Sequence, residues 1–350
     1  MKIFENYSLL PNNTFGIDAK CWQFVEVETS QEAAEKLPFV VKCTKPFMVI
    51  GGGSNLLLTQ DYDGIVLHSA IKGISVTPDH PDNPDNPEHP DNPEHLFLTA
   101  GSGCCFDDVV ATAVALGYYG MENLSIIPGD VGASAVQNIG AYGVEAKDII
   151  HSINAVELST GKQVTIMNAD CHYAYRQSRF KNEWKNKYFI TSVTYKLSTV
   201  FTPHVEYGGI RKALEERGIT EPSAQDVRDT IIAIRNAKLP DPKVLGNGGS
   251  FFMNPVVSRE KFEQLLAQYP SMPHYHVSDD QEKIPAGWMI EQCGWKGKSL
   301  GRAAVHDKQA LVLVNLGGAT GAEIVALCQQ VRKDVMQKFG IDIHPEVNII

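Results

Sequence analysis

The sequence predicts an α+β protein in two parts, and three observations point there. The chain has 350 residues, enough for two or three domains of about 100–200 residues each. Its β-like runs are many and short, while long helical patterns are few. The pattern pauses near Val200, which puts a boundary somewhere in 200–230. The composition, 43% hydrophobic and 21% charged, is that of a globular chain and excludes global disorder, collagen-like and coiled-coil architectures.

In chain order, PFMVI and GIVLHS read as short strands, followed by IKGISV and HLFLTA. Between the last two lies 77–95, TPDHPDNPDNPEHPDNPEH, where recurrent proline excludes helix and inner strand. It reads as a solvated loop; His80, His89 and His95 are metal-ligand types, but such a loop presents no fixed geometry for a metal. FDDVVATAVALG has helical spacing, acids in its first turn and a closing Gly117. HSINAVEL, KQVTIM and KYFITSVTYKL are strands. EPSAQDVRDTIIAIRNAK is a helix with apolar Val227, Ile231, Ile232 and Ile234, and ALVLVN is a buried strand. GAEIVALCQQVRKDVMQKFG is the clearest helix, with Ile324, Leu327, Cys328, Val331, Val335 and Phe339 on one stripe and Gly340 as terminator. The end, IDIHPEVNII, alternates like a strand.

Charge and cysteine usage narrow the partners. Lys+Arg number 31 against 41 Asp+Glu, a net charge of −10, which argues against nucleic acid or an anionic membrane as general partners. Seven cysteines without CxxC, two of them adjacent at Cys104 and Cys105, fit a reduced intracellular protein. No signal peptide and no stretch of about 20 apolar residues is visible, so the expected address is the cytoplasm.

Five segments carry chemistry. In FMVIGGGSNLLL a strand enters three glycines, either a tight turn or a backbone cradle for a pyrophosphate; neither a Walker nor a GxGxxG pattern is present. IPGDVGASAVQNIGAYG is dominated by small residues, suited to a flat cofactor or to an ordinary loop. YAYRQSR interleaves aromatics with Arg176 and Arg179, suited to a planar anion or to a basic turn. KLPDPKVLGNGGSFFMNP presents Ser250 on a glycine turn without a G-x-S-x-G elbow. HPEV places Glu346 in an apolar context, where an inward carboxylate is costly unless paired or used, and the alternative is that it faces solvent.

The ordered set GGGSN, ENLSIIPGDVGASAVQNIGAYG, YAYRQSRF, LPDPKVLGNGGSFFMNP, AGWMIEQCGWKG and HPEV closely resembles the bacterial UDP-N-acetylenolpyruvoylglucosamine reductase (MurB) family over nearly the whole chain, excluding 77–95. The segment HVEYGGI is similar to its longer, type I form. The resemblance implies an FAD-binding domain at 1–200, of the vanillyl-alcohol-oxidase type (PCMH-like) with two subdomains. It further implies an α+β substrate-binding domain at 201–340 and a terminal strand, 341–350, returning to the FAD domain.

Implied cofactor contacts to non-covalent FAD are Gly51, Gly52, Gly53, Ser54, Asn55, Pro128, Gly129, Ser134, Asn138, Gly140 and Ala141. Implied catalytic residues are Arg176, Ser250 and Glu346. Implied substrate contacts are Tyr207, Lys238, Asn254, Tyr142, Tyr175 and Gln292; no metal is implied, and His306 reads as structural. Hydride would pass from the co-substrate NADPH to FAD and on to C3 of the enolpyruvyl ether. Arg176 and Glu346 would attend the charged carboxylate, and Ser250 would protonate C2. Lacking a separate nucleotide module, the chain would bind NADPH and the UDP-sugar in turn at one site, as a monomer. The competing readings are an FAD-linked alcohol oxidase or dehydrogenase of the same fold superfamily, and a non-enzymatic metal- or peptide-binding protein.

Overall fold

The structure, a computed structural model, describes residues 1–78 and 94–350. Most of the proline-rich segment, with His80 and His89, therefore lies outside the described residues. Its ends do not: Thr77 and Pro78 close the strand Ile74–Pro78 and His95 opens the strand His95–Gly101, with Pro78 opposite Leu96.

The chain forms two compact units: Met1–Tyr7, Cys21–Gly52 and Asp63–Ala237 make the first; Ser8–Lys20, Gly53–Tyr62 and Lys238–Ile350 make the second. Unit 1 holds two sheets. In the four-stranded sheet the order is Lys2–Ser8, Lys20–Val27, Tyr62–Ser69, Phe47–Ile50, the last two parallel. Its core joins Val25, Val27, Ile65 and Leu67 to Ala33 and Leu37 of the helix Ser30–Val40, whose first turn is capped by the Thr29 hydroxyl accepting from Glu32 N–H.

The five-stranded antiparallel sheet runs Gln163–Met167, Ile150–Glu157, Tyr188–Ser198, His95–Gly101, Ile74–Pro78. One face buries Leu98, Ile153, Val193 and Tyr195 against Phe106, Val109 and Val131 of the helices Phe106–Ala115 and Val131–Gln137. The β-branched and aromatic residues of these strands alternate as a half-buried sheet requires.

Residues 201–237, expected with the C-terminal domain, belong to unit 1. The helices Ile210–Glu216 and Ala224–Lys238 pack Ile210, Leu214, Val227 and Ile231 together with Tyr142 and Phe201. An ion pair fixes them there: Arg228 forks onto Asp107, Nη1–Oδ1 2.7 Å and Nη2–Oδ2 3.0 Å.

Unit 2 is built on an antiparallel sheet ordered Gly246–Ser250, Val312–Asn315, Ala303–Val305, Ser299–Leu300. The helix Gly321–Phe339 covers it with the predicted stripe, opened by a Thr320/Glu323 capping box and closed by Gly340 at φ 64°. The expected terminal strand shrinks to Asn348–Ile349, which pairs in parallel with Leu56–Leu57 of the same unit. Pro345 lacks the ladder donor; it makes only an isolated bridge to Phe252, although Ile341, Ile343 and Val347 are buried.

Candidate active site

In unit 1 the strand Phe47–Ile50 delivers the glycine run onto the other glycine-rich stretch. A Cβ on Gly51 would stand 2.8 Å from Ala133 Cβ, and one on Gly52 would stand 3.4 Å from Gly129 Cα. The two stretches approach this closely because the run carries no Cβ, and the Asp130 carboxyl lies alongside, 3.3 Å from the Gly52 Cβ position and 3.5 Å from the Gly51 one; glycine backbone of this kind suits a pyrophosphate held by N–H groups. On this count the residues fit FAD. Gly53, in unit 2, has φ +65°, and a Cβ there would lie 1.8 Å from Asn12 O, so no other residue fits. Gly53 O accepts from Thr14 N–H at 3.2 Å. Ser54 is half-buried, and Asn55 Nδ2 donates to Glu346 O at 3.3 Å.

Pro128 is exposed, and Gly129 O accepts from Phe106 N–H at 3.0 Å. Two expected cofactor contacts turn inward. Ser134 is buried, its hydroxyl donating to Val131 O at 2.6 Å and lying 3.4 Å from the Tyr195 hydroxyl. Asn138, fully buried at φ 47°, gives its amide to Glu145 and Ala174 O and accepts from Lys147 N–H. Their side chains brace the loop.

Arg176 stands at φ 55° and is strapped to the same stretch. Nη1 donates to Asn138 O at 3.3 Å and Nη2 to Gly140 O at 2.8 Å. Its guanidinium lies 5.9 Å from the Tyr175 ring centre. Gly140 and Ala141 form a short hairpin with Val144–Glu145, which carries Tyr142 at φ 50°. Tyr142 and Tyr207 meet there: a Cβ on Gly143 would be 3.5 Å from Tyr207 Cβ, and one on Gly208 2.6 Å from the Tyr142 ring. Asn123 ties the two loops, donating to Tyr142 O at 2.9 Å and His204 O at 2.8 Å. Unit 1 thus gathers Arg176, Tyr142, Tyr175 and Tyr207.

In unit 2 Ser250 ends its strand after Gly249, φ 69°, and is exposed. The next carbonyl, Phe251 O, accepts from Glu346 N–H at 2.8 Å, and Met253 N–H donates to His344 O at 3.0 Å. The Ser250 and Glu346 backbones are thereby neighbours. Asn254 accepts from Ala286 N–H at 2.9 Å, at the start of the helix Ala286–Gln292. Gln292 is exposed at that helix's other end, with its carbonyl accepting from Lys338 Nζ. Lys238 is the exposed last residue of the helix Ala224–Lys238.

The sequence reading missed Arg235, one turn before Lys238. Burial above all, and then the like charge of Arg176, lower its pKa, while Tyr142 and Asp107 oppose them. Burial pushes the Tyr142 phenol up. It also missed His68 and Asp130, although Asp130 sits inside the quoted small-residue stretch. A cavity of about 570 Å³ opens on the polar face of the five-stranded sheet, lined by Lys72, Thr99, Asn154, Thr165 and Ser192 among others. It contains none of the expected site residues. Among the described residues no cluster of three or more His, Cys, Asp or Glu could hold a metal.

Comparison with known proteins bears on this arrangement. A UDP-N-acetylenolpyruvoylglucosamine reductase of Bacteroides fragilis is 51% identical over 347 residues, 99% of each chain. The chain belongs to the UDP-N-acetylenolpyruvoylglucosamine reductase family. Another member, from Porphyromonas gingivalis, is 47% identical over 352 residues and all of both chains. The family's C-terminal domain matches residues 241–350, and an FAD binding domain matches 23–167. The crystal structure of the family's enzyme (MurB) from Thermus caldophilus shares the fold, with TM-score 0.64 at 20% identity over 99% of this chain and 98% of that one.

Proposed function

We propose that this chain is an FAD-dependent oxidoreductase that uses NADPH to reduce UDP-N-acetylglucosamine enolpyruvate to UDP-N-acetylmuramate in peptidoglycan precursor synthesis. Membership of the family at 51% identity over the full length supports the reaction. The observation that supports the catalytic assignment is the Phe251 O–Glu346 N bond, which brings the backbone next to Ser250 against that of Glu346. FAD, when bound, supplies the two-electron carrier that NADPH reduces and the enolpyruvyl double bond reoxidises.

Each side chain has a task suited to its type. The Arg176 guanidinium is held by two carbonyls, so it is aimed before the substrate carboxylate arrives. Ser250 gives its hydroxyl proton to C2, which a weak acid can do only to a strongly basic carbon in a site closed to water. Glu346 attends the substrate carboxylate as a hydrogen-bond donor. Tyr142, Tyr175, Tyr207, Lys238, Asn254 and Gln292 bind the UDP-sugar; a lysine and phenols meet a diphosphate well in a chain of charge −10. The glycine run and Gly129 hold the cofactor through backbone N–H groups, with Pro128, Gly140 and Ala141 beside it. NADPH and the UDP-sugar use one site in turn, and the protein works as a cytoplasmic monomer. Among the described residues no helix is long and apolar enough to cross a membrane.

The test is NADPH oxidation by the purified yellow protein with and without the enolpyruvyl UDP-sugar. Oxidation that depends on the sugar, with ping-pong kinetics, is expected. Flavin reduction by an alcohol with no response to the UDP-sugar would favour the oxidase reading, and a colourless inactive protein would remove both.

A further inference from the structure

We propose that His68 and Asp130 form a proton-holding pair beneath the glycine run, and that seating the FAD pyrophosphate on Gly51 and Gly52 draws a proton into it. The inference rests on the cofactor assignment above and concerns residues to which nothing so far gives a role.

The pair's position comes first. Asp130 Oδ1 lies 3.3 Å from where a Gly52 Cβ would stand, and Oδ2 lies 3.5 Å from the Gly51 equivalent. The carboxyl group therefore lies against the backbone that would cradle the cofactor. Asp130 precedes the helix Val131–Gln137 but makes no side-chain cap to it. Its Oδ2 is instead 3.8 Å from His68 Nε2, and His68 Nδ1 is 3.8 Å from Glu26 Oε2. The two side chains are only 15% and 17% exposed, and His68 Nδ1 is buried without a hydrogen-bond partner among the described residues. Phe24 stacks on the His68 ring at 5.5 Å.

Three other ionisable groups bear on the pair. Glu26 faces His68 from the strand Lys20–Val27, with Tyr7 of the first strand beside it, and Lys72 acts on both His68 and Asp130. Burial pushes Asp130 up to about 6, with Lys72 opposing. Burial also lowers His68, helped by Lys72 and opposed by Glu26. Burial thus favours the neutral form of each group, and a proton gained here is held on the Asp130 carboxyl beside the His68 ring.

An incoming pyrophosphate adds negative charge beside the carboxylate in a poorly solvated place, which favours the protonated pair. The pair's pKa is then higher with FAD bound than without. Affinity is full below the free pair's pKa and falls as pH rises from there towards the bound one.

The experiment dilutes the holoenzyme at pH values from about 5.5 to 8.5 and reads FAD release from the recovery of free-flavin fluorescence. Kd is expected to rise by up to about tenfold per pH unit above about pH 6. Asp130→Asn, checked for an intact unfolding transition, should flatten the profile and hold FAD more tightly than wild type at about pH 8. His68→Gln, which leaves the carboxyl group, should displace the window. A flat wild-type profile, or profiles unchanged in both variants, would overturn the pair's role while leaving FAD binding intact. Protein that carries no flavin at any pH would overturn the cofactor assignment itself.

Discussion

Arg228→Met tests how the structure holds the helix that carries Arg235 and Lys238. Arg228 is 8% exposed. It forks onto Asp107 and also donates to the Ser125 hydroxyl at 2.8 Å. Methionine keeps much of the stem's volume but leaves the carboxylate without its main partner. Burial works against the Asp107 carboxylate, yet Arg228, the Ile126 N–H and Arg235 together hold its pKa below the usual value. Removing one partner of a buried pair costs about 3–5 kcal/mol. Asp107 keeps the Ile126 N–H and is 23% exposed, so the lower end, about 3 kcal/mol, applies. For a unit of this size that lowers Tm by roughly 6–12 °C.

The same change should raise KM for the UDP-sugar more than it lowers flavin content, because the helix loses its anchor while the glycine run does not. The pH dependence has a definite sign. A depressed carboxyl pKa contributes stability that is present above the unfolded value near 3.8 and is lost as pH falls through the lower folded one. The gap between wild type and variant should therefore be constant from about pH 6 to 8 and close in acid. Scanning calorimetry across that range, with Asp107→Leu/Arg228→Met as the second variant, decides it. The double variant should recover part of the loss, since an apolar pair removes the stranded charge. A fall under about 2 °C, or a double variant no better than the single one, would refute the reasoning.

Two further changes probe the site. Ser250→Ala should leave flavin reduction by NADPH close to wild type in stopped flow and slow reoxidation by the enolpyruvyl UDP-sugar at least about a hundredfold, the usual weight of a positioned proton donor; equal loss in both half-reactions would make Ser250 structural. Gly53→Ala forces a Cβ at φ +65° to within 1.8 Å of Asn12 O, so the flavin-to-protein absorbance ratio of the purified protein should drop sharply; wild-type flavin content would show that the turn moves aside freely.

What the sequence made legible, and what it hid, divides by range. The helix Gly321–Phe339 was readable because stripe, cap and terminator are all local. The domain boundary was not, because Arg228 meets Asp107 across 121 residues of chain, and no local pattern displays such a pair. The final strand misled for the opposite reason: alternation buries Ile341, Ile343 and Val347, but Pro345 denies the ladder its donor. In the site, motif resemblance named Ser134 and Asn138 as cofactor contacts, yet their polar atoms are spent inside unit 1. His68 and Asp130 were passed over because their significance lies in what they approach.

The backbone supplies an independent argument for the site. Among the described residues seven non-glycine positions have positive φ, and three of them, Asn138, Tyr142 and Arg176, are expected site residues in one neighbourhood. Tyrosine and arginine gain nothing locally from that conformation, which costs of order 1 kcal/mol or more each. Such strain persists where surrounding contacts over-determine it. Here those contacts are visible: Arg176 is held by Asn138 O and Gly140 O, and Tyr142 O by Asn123. The strain turns both side chains to where the fold holds them before any ligand arrives. A sequence rule that scores each residue by its local preference must fail at these positions, and the failure falls on residues of the proposed site, where local rules are expected to be broken.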